Sequence, residues 1–144
     1  MVRLSLAVAL AAVLAMSVTT PMAATRERSA TVTIALVTGA DGACYLSQTA
    51  SWEGYRVNRV RHIWYEVGQS GPYDYFGFTT SSYPNGESHS SGSFTSGYVY
   101  QRVYADERYY AHALFRSNGG AILAEAVSAP LTVSGTCGTR PLTA

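Results

Sequence analysis

The chain has 144 residues, with ten arginines, no lysine and nine acidic residues, which gives a formal net charge of +1. Proteins that bind nucleic acid or an anionic membrane surface are normally basic, so this balance argues against both classes. The lack of lysine also excludes chemistry that runs through a lysine Schiff base.

The first 24 residues have the pattern of a secretory signal peptide. Arg3 gives a positive start, an apolar run of 13 residues follows at 4–16, and small polar residues fill 17–24. A membrane span needs about 20 apolar residues, so we expect cleavage near Ala24 and no membrane anchor. The mature chain is then formally neutral, and its length of about 120 residues suits a single secreted domain at 31–144.

Both cysteines lie in the part that would be exported. Two thiols in an oxidising compartment most simply form one disulfide, here between Cys44 and Cys137. The bridge would close a loop of about 93 residues, worth about 4 to 5 kcal/mol in the chain-entropy treatment.

The mature chain begins with a tail and two predicted strands. Residues 25–30 are charged and have no apolar period, which predicts a flexible tail. Apolar and polar residues alternate over 31–37, as in a half-buried strand, and turn residues at 39–42 separate this strand from a second one at 43–52.

The middle of the chain predicts two more strands and two loops. An arginine-rich loop at 53–61 leads into a third strand at 62–67, and an aromatic-rich fourth strand follows at 73–80. Residues 81–93 are rich in serine, which predicts a long exposed loop.

The last part of the chain has the clearest strand pattern. Alternation resumes at 94–104, and one apolar face at 109–115, a turn at 117–120 and apolar residues at 121–127 predict a hairpin. Pro130 cannot donate to a ladder, so the final strand after it suits a sheet edge. About seven short strands without a helix predict an all-β antiparallel sandwich.

Four segments resemble immunoglobulin-like and fibronectin type III-like domains: Asp106-Glu107-Arg108-Tyr109-Tyr110-Ala111-His112-Ala113, Asn118-Gly119-Gly120, Ala129-Pro130-Leu131-Thr132-Val133 and Ile63-Trp64-Tyr65. The resemblance implies that Tyr109 or Tyr110 forms a tyrosine corner after the acidic turn and that Trp64 is the core tryptophan. These motifs imply a fold and carry no activity with them.

The sequence departs from the immunoglobulin pattern at its cysteines. Ala111 or His112 stands where such domains place the second cysteine of the bridge between sheets, so we expect that core bridge to be absent. In the resembling fold Cys44 opens the second strand and Cys137 follows the last one, and both ends lie at the same pole. The disulfide would therefore tie down the C-terminus there.

Aromatic residues suggest a first candidate site. The aromatic run Tyr73-Asp74-Tyr75-Phe76-Gly77-Phe78 lies next to the serine-rich segment, where exposed rings and the Asp74 carboxylate would form a ligand platform for a sugar. The platform residues we predict are Tyr73, Asp74 and Tyr75. The alternative is inward packing of alternate rings along a strand. The eleven tyrosines of the chain favour recognition in general, because tyrosine offers large contact area at low entropic cost.

A second candidate site combines arginine with aromatic residues around the predicted 53–61 loop. These residue types dominate interface hot spots and would bind carboxylates of a protein partner. The alternative is a solvated loop whose arginines pair with Glu53 or Glu66. The residues of this predicted partner-binding cluster are Trp52, Tyr55, Arg56, Arg59, Arg61 and His62.

The N-terminal segment suggests a third way of binding. Residues 26–36 would add as a strand to the sheet of a partner while Arg26 and Arg28 dock into an acidic cleft. The alternative is an ordinary first strand behind a disordered tail.

Catalysis and metal binding have little support in the sequence. Glu87, Ser88 or Ser90, and His89 contain the side chains of a triad, but neighbours in one loop do not supply a fixed nucleophile, base and orienting acid. His62, His89 and His112 are not at metal-ligand spacings. We expect no cofactor and no enzymatic activity.

The sequence therefore predicts a secreted, non-catalytic domain that binds another macromolecule, most simply another secreted protein. Its most concrete form is an adaptor in a bacterial exported complex, such as a toxin particle in which it joins a recognition subunit to a scaffold. A carbohydrate-binding or cell-wall-binding module is the second possibility, and a proteinaceous inhibitor of an extracellular hydrolase is the third.

Overall fold

The computed structural model of this chain describes residues 26–68, 74–98 and 101–142. The described part is all-β, as predicted, and has two antiparallel sheets. Its strands are β1 (Ser29–Thr38), β2 (Cys44–Val57), β3 (Arg59–Glu66), β4 (Asp74–Ser82), β5 (His89–Tyr98), β6 (Arg108–Arg116), β7 (Ile122–Val127) and β8 (Leu131–Thr132). The predicted signal peptide lies outside the described residues, and no described helix is long and apolar enough to cross a membrane.

The first sheet has the order β1-β2-β5, and the second has the order β4-β3-β6-β7 with β8 paired to the start of β6. Because apolar and polar side chains alternate along the strands, each sheet has an apolar inner face, and the two inner faces pack together. Inward side chains of both sheets form one shared cluster, to which β1 and β2 contribute Val32 and Trp52, and β3 and β6 contribute Val60 and Phe115. The fold is therefore a sandwich with its core between the two sheets.

A second core cluster lies toward the pole that carries the disulfide. Trp64 and Tyr109 are fully buried there, together with Leu46. Cys44 and Cys137 are bonded, with their Cα atoms 5.5 Å apart, which confirms the predicted bridge. Cys44 opens β2 and Cys137 ends a short 3-10 turn, Gly135–Cys137, after the last strand.

The predicted arginine-rich loop at 53–61 is wrong, because β2 continues to Val57 and β3 begins at Arg59. Only Asn58 separates them, and the chain changes sheets at this residue. The Asn58 side chain donates to the carbonyl oxygen of Glu87 at 2.5 Å, and its backbone N–H donates to that of Arg116 at 2.9 Å. These bonds satisfy the polar groups of a buried crossing, so no loop is needed.

The predicted serine-rich loop at 81–93 is also wrong. β4 extends to Ser82, a 3-10 turn occupies Pro84–Gly86, and β5 begins at His89. The long β2 strand supplies the partner for this polar segment. Gly92 is needed there, because a Cβ atom at this position would lie 2.8 Å from the Trp52 ring.

Two further boundaries differ from prediction. β1 begins at Ser29, two residues inside the predicted tail. β5 ends at Tyr98, and residues 101–104 of the predicted 94–104 strand are outside any strand. The hairpin of β6 and β7 is confirmed, and the described strands number eight where about seven were predicted.

Candidate functional site

The outer face of the second sheet carries aromatic rings on three neighbouring strands. Tyr65 on β3 pairs with Tyr75 on β4 and with Tyr110 on β6, and Ile63 pairs with Phe78 and His112. Side chains of paired residues point to the same side of a sheet. We call the set Tyr65, Tyr75, Phe78 and Tyr110 the aromatic face.

A β-bulge builds this arrangement. The register of β4 slips between the pairs Trp64–Gly77 and Tyr65–Tyr75, so Phe76 is the extra residue. Phe76 packs into the core, whereas Tyr75 and Phe78 point outward and are 57% and 47% exposed. Strict alternation would have put Tyr75 and Phe78 on opposite faces, and the bulge brings them together.

The rings of the aromatic face contact one another at different angles. Tyr65 and Tyr110 stack with centroids 4.9 Å apart and planes 10° apart. Tyr75 meets Tyr65 edge-on at 6.1 Å and 74°. The guanidinium carbon of Arg61 lies 4.0 Å from the centroid of the Phe78 ring, within range of a cation–π interaction.

A cleft of about 430 Å³ borders the aromatic face on the β7 side. Tyr110, His112 and Val127 line it, and Val127 is 61% exposed. His112 lies 3.0 Å from a carboxylate oxygen of Glu125, measured from Nε2. The apolar surface thus continues from Tyr75 on one edge strand to Val127 on the other.

The opposite end of the same sheet face carries arginine. Arg59 and Arg116 are directly paired on β3 and β6, and Arg61 lies two residues from Arg59 on the same face. A pocket of about 190 Å³ forms among these side chains. We call it the arginine pocket, and it is lined by Arg59, Arg61, Phe78, Thr80 and Arg116.

The structure separates the arginines that the sequence analysis grouped together. Arg59 and Arg61 lie on the second sheet at the arginine pocket, whereas the exposed Arg56 lies near the end of β2 on the first sheet and donates to the carbonyl oxygen of Ser88 at 3.4 Å. Trp52 is buried, with 3% exposure, and its ring N–H donates to the carbonyl oxygen of His89. Its ring therefore belongs to the core and is not available to a partner.

The N-terminal arginines lie at the β1–β2 edge. Arg26 forms an ion pair with Glu53 at 2.7 Å, and the guanidinium of Arg28 lies 5.6 Å from the centre of the Tyr55 ring. They are thus held against their own domain. The docking of this segment into a partner stays a prediction.

One residue of the predicted sugar platform, Tyr75, is exposed and belongs to the aromatic face. Tyr73 lies outside the described residues, and Asp74 is described only as the first residue of β4. Phe78 belongs to the same predicted aromatic run, whereas Tyr65, Tyr110 and Arg116 are site residues that the sequence did not indicate. Each sits at an outward position of a strand, but only the pairing register brings them together.

Two polar networks accompany the core. The Tyr109 hydroxyl donates to Glu107 at 2.6 Å, the backbone N–H of Tyr104 donates to the same carboxylate oxygen, and Arg140 donates to the other oxygen at 2.7 Å. Burial disfavours the Glu107 anion, but these donors outweigh burial and hold the pKa of Glu107 below its usual value. Burial and then the Glu107 carboxylate raise the pKa of Tyr109.

The second network is at His62, on the inward side of β3. His62 is fully buried, and its Nε2 lies 3.1 Å from the hydroxyl of Ser81. Burial lowers its pKa to about 4, so the ring is neutral at physiological pH. His62 therefore belongs to the core and not to the arginine cluster in which the sequence analysis placed it.

The described residues include no group of three His, Cys, Asp or Glu side chains placed to hold a metal ion. Glu87 and His89, two of the side chains that a catalytic triad would need, are both exposed, and the Glu87 carboxylate lies 3.6 Å from the His89 ring. In comparisons with known proteins, no family model, no curated protein and no solved structure matches this chain.

Proposed function

We propose that this chain is a secreted, non-catalytic binding domain that joins other proteins in an extracellular assembly, with the aromatic face as its contact surface. An adaptor or subunit of a bacterial secreted complex, such as a toxin particle, is the form that fits a small exported sandwich. The observation that carries the proposal is the set of rings on three neighbouring strands, with Tyr65 and Tyr110 half-buried and Tyr75 and Phe78 exposed on the edge strand β4.

Exposed aromatic clusters of this kind are unusual on a domain that acts alone. Tyrosine and arginine are enriched in protein interfaces, and contiguous apolar patches mark interaction sites. Here Tyr75, Phe78 and Val127 remain about half exposed or more, although the sheet has a fully formed core on its other side. Burying these side chains against a partner would remove apolar area from water, at about 25 cal/mol per Å².

Ring orientation favours a protein over a sugar as the ligand. A pyranose stacks on the open face of a ring, and a longer glycan needs several rings in one plane. Tyr65 and Tyr110 stack on each other, Tyr75 is turned 74° from Tyr65, and Arg61 covers one face of Phe78. Protein side chains can fill such an uneven surface, so the carbohydrate-binding module is the weaker candidate.

An immunoglobulin-like fold is part of the proposal. The first, second and fifth strands form one sheet and the third, sixth and seventh lie together in the other, as in immunoglobulin domains. β4 pairs with β3, the position of the additional strands in variable-type domains. Tyr109 near the start of β6 supports a tyrosine corner, although its hydroxyl reaches the backbone of Tyr104 through the Glu107 carboxylate.

Secretion is proposed from two features. Arg3 is followed by a short apolar run at 4–16, a pattern typical of a signal peptide. The Cys44–Cys137 disulfide is consistent with an oxidising compartment.

The experiment compares a double variant on the aromatic face with a single variant on the other sheet, both made in the mature protein. Tyr75→Ser with Phe78→Ser removes exposed rings, and Val37→Ser removes a 38% exposed apolar side chain from the other sheet as a matched control. Each is used as bait in supernatant of the native culture, and partners are quantified by mass spectrometry. We expect a stoichiometric protein partner that the control retains and the double variant loses.

Equal recovery of that partner by both variants would reject the aromatic face as the contact surface. Retention on chitin, cellulose or peptidoglycan that depends on Tyr75 would favour a carbohydrate-binding module. Stoichiometric capture of a hydrolase whose activity is blocked would favour the inhibitor hypothesis.

A further inference from the structure

The arginine pocket gathers three positive side chains that have no ion-pair partner among the described residues. Arg59 and Arg116 face each other across neighbouring strands, and like charges directly opposite in a sheet are destabilising. Ion pairs in the described part of the chain engage Arg26, Arg102 and Arg140 but none of these three. The pocket lining contains no carboxylate.

The arginine side chains of the pocket are fixed by contacts with their own domain, but some of their N–H groups have no acceptor among the described residues. Arg59 donates from Nε to Asn58 and from Nη2 to the carbonyl oxygen of Asn118, at 3.3 and 3.2 Å. Arg61 is stacked on Phe78. The Nε atoms of Arg61 and Arg116 are buried and have no acceptor within the described residues, which is costly for a charged group.

We propose that the arginine pocket binds two carboxylates of an extended acidic segment in the partner protein, with acidic residues two positions apart. The proposal rests on the proposed function and names the chemistry of the partner. Side chains two residues apart on an extended strand lie about 7 Å from each other on one side. Arg59 and Arg61 have the same spacing on β3, so an acidic–any–acidic segment beside them matches both guanidiniums.

Arginine is suited to this role because its planar donors bind a carboxylate through two parallel hydrogen bonds. Arg116 would share the carboxylate that faces Arg59, which neutralises the opposed pair.

The surroundings favour a protein anion over a phosphate or a sulfated glycan. Phe78 belongs to both the pocket and the aromatic face, so the two surfaces are continuous. Tyr65 lies four residues from Arg61 along β3, about 13 Å in a strand. One polypeptide segment would therefore bring carboxylates to one end and apolar side chains to the other.

A second copy of this chain does not supply such a segment. Its acidic residues are at positions 27, 41, 53, 66, 74, 87, 106, 107 and 125, and no two of these are two positions apart. The occupant we infer is thus a different protein.

The test uses a defined probe, the peptide acetyl-Val-Glu-Val-Glu-Val-amide, titrated into the mature domain by calorimetry and by NMR of the arginine Nε–H signals. The matched peptide carries glutamine in place of both glutamates. We expect the glutamate peptide to shift the signals of Arg59, Arg61 and Arg116 and to bind at least about tenfold more tightly than the glutamine peptide.

Three single variants sharpen the test. Arg61→Gln and Arg116→Gln should each weaken glutamate-peptide binding about tenfold, whereas Arg102→Gln, at an arginine already paired with Asp41, should change it less than twofold. Arg116→Gln should also leave the melting temperature unchanged or raise it, because it removes the opposed charge. This readout separates lost binding from lost folding.

Equal binding of the two peptides, or unchanged binding by Arg61→Gln and Arg116→Gln, would overturn the proposal. Tighter binding of inorganic phosphate or of a heparin fragment than of the glutamate peptide would also overturn it. A natural partner that is lost by the Tyr75→Ser and Phe78→Ser variant but retained by Arg116→Gln would sink this inference alone and leave the proposed function standing.

Discussion

The outer faces of the two sheets carry different kinds of side chain, although both belong to regular antiparallel strands. On the first sheet they are mainly serine and threonine, including the paired rows Thr31–Ser51–Ser93 and Thr33–Thr49–Thr95. On the second sheet the corresponding positions carry aromatic rings and arginines. Threonine and aromatic residues both favour strands, so the fold alone does not require rings on the second face. We assign the exposed rings on the second sheet to binding.

The largest expected effect contrasts the two sides of β3. Trp64 is fully buried beneath the aromatic face, and Trp64→Ala should lower the free energy of unfolding by about 3 to 5 kcal/mol. Tyr65→Thr, one residue away on the outer side, should cost about 1 kcal/mol or less because threonine also favours strands. Chemical denaturation measures both. Similar losses would mean that the aromatic face is part of the core.

Acid should act on the inner side of the same strand. The pKa of His62 falls from 6.5 to about 4 on folding, so below pH 6.5 the unfolded chain takes up a proton that the folded one does not. Stability is then lost as the pH falls from 6.5 toward 4, by about 3 kcal/mol in total. Denaturation at several pH values, compared with His62→Gln, measures it. An equal slope in the variant would assign the effect to other groups.

The polar corner at Tyr109 should matter less than the core rings. Tyr109→Phe removes one donor to the buried side of Glu107 and should cost about 1 to 3 kcal/mol. Tyr75→Phe removes a hydroxyl from an exposed ring and should stay within about 0.5 kcal/mol. Thermal unfolding of both variants checks the difference, and a neutral Tyr109→Phe would contradict a structural role for the corner.

The smallest expected effect is on the face rich in serine and threonine. The hydroxyls of Thr49 and Thr95 are 2.9 Å apart on the exposed surface. Thr49→Val removes that bond but keeps a branched side chain, so stability should change by about 0.5 kcal/mol or less. Partner recovery should be the same as for the wild type. A loss of the partner in this variant would move the contact surface to the first sheet.

The sequence predicted the parts of the fold that depend on local alternation. The β6–β7 hairpin has a clean two-residue period and a turn of Asn and Gly residues, and the structure has it. The polar composition of the segment 81–93 predicts a loop. In the structure β2 provides the pairing that composition cannot reveal, and Gly92 makes room for Trp52.

The candidate site was only partly predictable for a related reason. Residue type alone indicates Arg59, Arg61 and Tyr75, but Arg116 and Tyr110 become neighbours of β3 only through strand pairing. The outward position of Phe78 depends on the bulge at Phe76, which breaks the two-residue period. Register and bulges depend on contacts between segments that are distant in the chain, so local sequence patterns do not predict them.

The most direct test of the central claim is hydroxyl-radical footprinting of the domain, alone and in the assembly recovered from culture supernatant. The account predicts that oxidation of Tyr75 and Phe78 falls on assembly, while oxidation of Tyr45 on the first sheet stays the same. Protection of Tyr45 with undiminished oxidation of Tyr75 and Phe78 would contradict the account.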